Sequence, residues 1–193
     1  MKRQTLVEYK DASREVQVIY DEIMEIMGSP VVPNFLKALG NNENVLQAIW
    51  SMAKHTMIEG EIPSLLKQLI LFKISINSGN EYCTALHGHN ALNLDPTLSY
   101  DDLINLSEGK SSTKLPASFQ VAIDIVTQAA LKPKSVADED FDFEDQLRDE
   151  GFSEREIDEL MAQSYFAVMM NTFVDSIDVP WETPFPPEVA KTS

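Results

Sequence analysis

The stretch from Ile62 to Ile76 limits most tightly what this chain can fold into. Leu65, Leu66, Leu69, Ile70, Phe72, Ile74 and Ile76 cover most of the circumference of a helix. A helix apolar over most of its surface needs neighbours on nearly every side, so the rest of the chain must wrap it. Pro63 suits a first helical turn. Gln68 and Lys73 are the polar exceptions, and a polar residue on a buried helix requires a partner.

Asn77, Ser78, Gly79 and Asn80 follow, four helix-weakening residues in a row that predict a break and a new helix behind it. Asn80 is a good N-cap. It places Cys83, the only cysteine, in the first turn of the new helix, where unpaired backbone N–H groups and the helix dipole favour negative charge. Such a position lowers a thiol pKa and makes a thiolate nucleophile. His87 comes four residues later and shares the helix face. A Cys with a His on one face can be an activated nucleophile with its base. The competing reading is that Cys83 simply packs, as lone cysteines commonly do.

The rest of the chain reads as helices. Val16, Ile19, Tyr20, Ile23, Met24 and Met27 predict a helix over 13–27, stopped at Gly28-Ser-Pro30. Pro33 opens a short helix over 34–39. Asn42 or Asn44 caps a helix carrying Val45, Leu46, Ile49, Trp50, Met52, Ala53 and Met57, which ends at Gly60. His55 in that helix reads as a surface or satisfied histidine. The Cys83 helix should reach Leu92, with a turn over Asn93–Pro96. Further helices are expected over 101–106, behind Pro116, over 143–149, and over 154–177, the last behind the capping box Ser153-Glu-Arg-Glu156. Residues 135–144 are acidic and loop-like. The methionines of the last helix read as core or subunit-interface filler. No alternating β-branched run is bounded by tight turns. The expectation is an all-α bundle of about eight helices, with one domain over 1–178. The tail, 179–193, holds four prolines with Trp181 and Phe185, and is either disordered or an extended arm.

With 31 acidic against 15 basic residues, the net charge is −16. That surface repels phosphate backbones and anionic lipid, so neither nucleic acid nor membrane is an expected partner. A single cysteine allows no internal disulfide and suits a reducing compartment. No signal peptide or membrane-length apolar run is present, so a soluble cytoplasmic protein is expected. Cys83, His87, His89 and Glu81 can be written down as metal ligands. However, His89 points off the face shared by Cys83 and His87, and a closed zinc site takes four converging ligands. No metal and no cofactor is expected.

The break, the Tyr82-Cys83 pair and His87 resemble the core motif of the carboxymuconolactone decarboxylase and alkylhydroperoxidase D superfamily. The approach to the motif is similar too: Pro33-Asn-Phe-Leu-Lys-Ala-Leu39, Val45-Leu-Gln-Ala-Ile-Trp50 and Gly60-Glu-Ile-Pro-Ser-Leu-Leu-Lys-Gln-Leu-Ile70. Leu147 to Ile157 and Asn171-Thr-Phe-Val174 resemble the closing part of the peroxidase-related branch. The likeness spans 30–178, with its motif core over 33–92, and implies an alkylhydroperoxidase D-like helical bundle. Thiol-active members carry Cys-x-x-Cys, a His after three more residues, and a Glu one helix upstream. On that pattern Cys83 takes the second cysteine and His87 the histidine. Asn80 stands at the first cysteine, Gln68 at the glutamate, and Tyr82 where members have His or Tyr. The resemblance further implies a homo-oligomer, a trimer or hexamer, with a dimer as the smaller alternative, and with the active helix near a subunit contact.

Gln68 cannot act as a base and Asn80 cannot form a disulfide, so a two-thiol cycle within one chain is excluded. Three functions remain open. One is a one-cysteine thiol peroxidase: Cys83 attacks a peroxide, an external thiol resolves the sulfenic acid, His87 acts as base, and Glu81 or Tyr82 replaces what Gln68 lacks. Another is a non-redox decarboxylase or lactone-type enzyme using histidine acid–base chemistry. The third is a catalytically silent oligomeric or ligand-binding protein on the same scaffold.

Overall fold

A computed structural model describes residues 5–133 and 142–181. Among them are nine α-helices and no strand. They are α1 (Arg14–Met27), α2 (Asn34–Lys37), α3 (Glu43–Ala53), α4 (Ser64–Asn77), α5 (Glu81–Leu94), α6 (Tyr100–Ser107), α7 (Ala117–Leu131), α8 (Phe143–Asp149) and α9 (Glu154–Ile177). A π-helical turn, Lys54–Ile58, continues α3.

Helix α4 is the axis of the molecule. It packs against α5, α6, α7 and α9, and its residues from Leu69 to Ser75 are all buried. Each fully buried Leu, Ile or Phe contributes about 1.5–3 kcal/mol relative to exposure, which is why the most apolar segment takes the centre. Two apolar clusters flank this axis. One joins α4 to α6, α7, α8 and the first half of α9 through Phe72, Ile123, Val126 and Leu160. The other gathers Tyr20, Ile23, Leu36, Leu46 and Trp50 around the start of α5 and the second half of α9.

The ends of the helices follow the sequence chemistry. Ser13, Asn42, Asn80, Ser99, Asp142 and Ser153 each cap a helix through a side-chain oxygen. The capping box at Ser153 and Glu156 is formed as expected. Of the two candidates for α3, Asn42 is the cap, accepting from the Val45 N–H at 3.2 Å. Pro63 and Pro116 sit at the N-cap positions of α4 and α7.

Three expectations need correction. The helix after Asn42 does not run unbroken to Gly60, because it widens into the π-turn that carries exposed His55, paired with Glu59 at 2.9 Å. Helix α5 reaches Leu94, so the turn expected from Asn93 starts only at Asp95. Lys67 is a third polar exception on α4, and at 1% exposure it is more deeply buried than Lys73. Lys67 Nζ pairs with Glu159 Oε1 of α9 at 2.5 Å and donates to the Glu59 carbonyl. Lys73 pairs with Asp124 and donates to the Leu106 carbonyl at 3.1 Å.

The acidic stretch at 134–141 and the tail at 182–193 lie outside the described residues. The first tail residues pack back onto their own chain. Val179 is buried, the Pro180 carbonyl accepts from Asn34 Nδ2 at 2.9 Å, and the Trp181 ring meets Tyr82 edge-on with centroids 6.2 Å apart.

Candidate active site

The turn between α4 and α5 builds the site. Asn80 is wholly buried and uses its whole side chain. Its Oδ1 accepts from the Cys83 N–H at 2.7 Å, and its Nδ2 donates to the Asn171 carbonyl at 3.0 Å and to Asp175 Oδ1 at 2.7 Å. The Thr84 hydroxyl donates to the Asn80 carbonyl at 2.7 Å. Asn80 therefore caps α5 and also ties the turn to α9. Burial and the neighbouring Glu81 raise the pKa of Asp175.

Cys83 lies in the first turn of α5, buried, and His87 one turn on is buried as well. Both line a narrow apolar cavity of about 20 Å³, room for a single water-sized molecule. Phe35, Leu86, Phe166 and Met170 form its walls, with Ser75 and Tyr82 as its polar members.

His87 Nδ1 lies 2.9 Å from Gln68 Oε1 on α4, and Asn90 Nδ2 donates to the same oxygen at 3.4 Å. Two donors converging on one acceptor orient the amide, place the imidazole proton on Nδ1 and leave Nε2 as the basic nitrogen. Burial without a compensating charge pushes the His87 pKa down to about 3. At neutral pH the imidazole is uncharged.

The structure thus brings Cys83, His87, Tyr82 and Gln68 into one neighbourhood. It does not bring Glu81 there. That side chain is exposed and is not among the residues lining the cavity; it lines an outer depression with Asp175, Asp178 and Trp181. His89 also turns aside, meeting Asn93 at 2.9 Å. Among the described residues no group of three or more His, Cys, Asp or Glu is placed to hold a metal ion.

The sequence reading missed a second, outer cleft of about 420 Å³ between α1, α3, α4 and α5. It shares Phe35, Met57, Leu86 and His87 with the inner cavity, so His87 stands in the wall between them. The π-turn helps shape it by delivering Met57 and Ile58, and nothing in the sequence marks that turn.

No protein-family model and no curated protein sequence matches the chain. Solved structures do. A peroxidase-related protein with an alkylhydroperoxidase AhpD core from Ralstonia eutropha JMP134 superposes with TM-score 0.78 at 16% identity, covering 99% of this chain and 97% of that one. A peroxidase-related protein from Silicibacter sp. TM1040 gives 0.76 at 23%, covering 95% and 93%. The debrominase Bmp8 gives 0.76 at 19%, covering 97% and 95%. A cysteine-to-alanine form of Bmp8 is known with 2,3,4-tribromopyrrole bound. The fold of this chain is the alkylhydroperoxidase D-like helical fold expected from its motif.

Proposed function

We propose that the protein is a one-cysteine thiol oxidoreductase that reduces a small peroxide with the help of an external thiol. The observation that carries this reading is the shared cavity of Cys83 and His87, with burial keeping the imidazole neutral and Gln68 at Nδ1 orienting it. In the first step His87 Nε2 relays the Cys83 proton towards the departing oxygen in concert with attack of the sulfur on the distal peroxide oxygen, so that no buried imidazolium accumulates. The O–O bond breaks, the leaving alkoxide receives that proton, and Cys83 becomes a sulfenic acid. An external thiol displaces water from the sulfenic sulfur to give a mixed disulfide. A second external thiol attacks that bond, returning Cys83 and releasing the oxidised reductant.

Asn80 supports an external reductant. It stands where a resolving cysteine would be, and it is fully engaged as a cap and a tie to α9. The fold-level likeness to peroxidase-related proteins and to a debrominase agrees with cysteine-based reduction, but the residues above carry the argument. The chain is also proposed to work as a homo-oligomer, and the exposed Tyr165 and Met169 on α9 are the apolar side chains that would suit a contact.

Steady-state consumption of cumene hydroperoxide with dithiothreitol tests the reading. Turnover should be abolished in Cys83→Ser and fall about 10²-fold or more in His87→Ala. Turnover unchanged in Cys83→Ser removes the thiol mechanism and returns the site to histidine acid–base chemistry.

A further inference from the structure

The outer cleft has a lining that the chemistry of Cys83 does not require. Sixteen residues line it, and none is Asp, Glu, Lys or Arg, in a chain with 31 acidic and 15 basic residues. His87, its one titratable member, is held uncharged. An ion entering would lose hydration and find no counter-charge. The walls include Phe35, Leu36, Trp50, Met57 and Leu86, and the uncharged polar members are Ser64 and Gln68 of α4 and Asn90 and Asn93 of α5.

Gln68 has a special place there. Its Oε1 is taken by His87 and Asn90. Its Nε2 carries two N–H donors and meets no acceptor among the described residues, while Gln68 is only partly buried and lines the cleft. The amide therefore presents a donor to whatever occupies the cleft, beside the imidazole that borders Cys83.

We propose that the outer cleft binds an uncharged, largely apolar small molecule through one carbonyl-type oxygen, which accepts a hydrogen bond from Gln68 Nε2. The proposal rests on the thiol reading only for the occupant being the organic portion of what Cys83 reduces. Binding itself does not depend on the thiol. A glutamate at position 68 would offer no such donor and would place a charge in the cleft, so the glutamine sets the site for neutral ligands.

The test uses full-length Cys83→Ser protein, in which no turnover occurs, and follows the indole N–H signal of Trp50 by NMR, identified by its loss in Trp50→Phe. Three neutral ketones of graded size, cyclohexanone, acetophenone and camphor, are compared with cyclohexanecarboxylate and cyclohexylamine. At least one ketone should shift the Trp50 signal saturably, with the two ions at least ~tenfold weaker. Gln68→Glu should weaken that ketone roughly tenfold and strengthen cyclohexylamine. The proposal is overturned if no ketone moves the signal, if the carboxylate binds as well as the ketones, or if Gln68→Glu leaves the order unchanged. Should Gln68→Glu not fold, Gln68→Met removes the donor without adding charge, and ketone affinity unaltered by it overturns the proposal equally. Ketone binding without peroxide turnover in the wild type leaves this proposal standing and removes the peroxidase reading. Turnover without ketone binding does the reverse.

Discussion

At the scale of single residues, the account depends on Gln68 being an amide and Asn80 being neither a thiol nor replaceable. A carboxylate at position 68 would favour the charged imidazole. In Gln68→Glu the His87 titration followed by NMR should therefore move up from about 3 towards its ordinary 6.5. A midpoint that stays put would mean that His87 does not feel position 68. Asn80 was legible as a cap from sequence, since its neighbours Asn77, Ser78 and Gly79 all weaken a helix. Its bonds to Asn171 and Asp175 were not legible, because those residues lie on α9, more than ninety positions away. Asn80→Ala removes the cap and both side-chain ties to Asn171 and Asp175 of α9, so urea unfolding should show a loss of about 2–4 kcal/mol.

At the scale of elements, the junction of the π-turn, α4 and α9 is held by one carboxylate. Glu159 pairs with Lys67 and accepts from the Glu61 N–H at 2.8 Å and the Ile62 N–H at 3.4 Å. With the Lys67 and Glu159 side chains only 1% and 12% exposed, Glu159→Ala leaves a buried ammonium without its partner and should cost about 3–5 kcal/mol in urea unfolding. Gly60 lies directly under that carboxylate, with φ +112° and no space for a Cβ. Gly28, which caps α1 at φ +59°, has open space instead. Gly60→Ala should therefore destabilise the protein more than the roughly 1 kcal/mol expected of Gly28→Ala, and equal losses would show that Glu159 yields freely. Periodicity located these helices well, and the bounds of α8 and α9 match their capping signals. The π-turn and the Lys67–Glu159 pair were out of reach. A widened turn leaves the apolar spacing of α3 nearly intact, and the partner of Lys67 is set by how α9 crosses α4.

At the scale of the whole molecule, no helix among the described residues is long and apolar enough to cross a membrane. Stability should depend on acid through His87. Its folded pKa lies below its unfolded value, so its contribution is complete above about pH 6.5 and is lost as pH falls from there towards 3, because the unfolded chain binds a proton that the folded chain cannot. Asp175, raised by burial, works in the opposite sense at lower pH. Thermal unfolding between pH 7 and 5 should show a falling Tm in the wild type and a flatter profile in His87→Gln. The all-α architecture was readable because α4 is apolar nearly all round and must be enclosed. The outer cleft was not, since Trp50, Met57, Leu86 and Gln68 come together only when α3, the π-turn, α4 and α5 are assembled.

The central claim is that Cys83 is a nucleophile served by a neutral His87. The rate of Cys83 alkylation by iodoacetamide from pH 5 to 10 tests it most directly, because the chain contains one cysteine. The account predicts labelling already at neutral pH, promoted by the place of Cys83 in the first turn of α5 and slowed roughly tenfold or more in His87→Ala. Slow labelling that rises only at alkaline pH and is indifferent to His87→Ala would contradict it, and would make Cys83 a packing residue in the wall of a binding cleft.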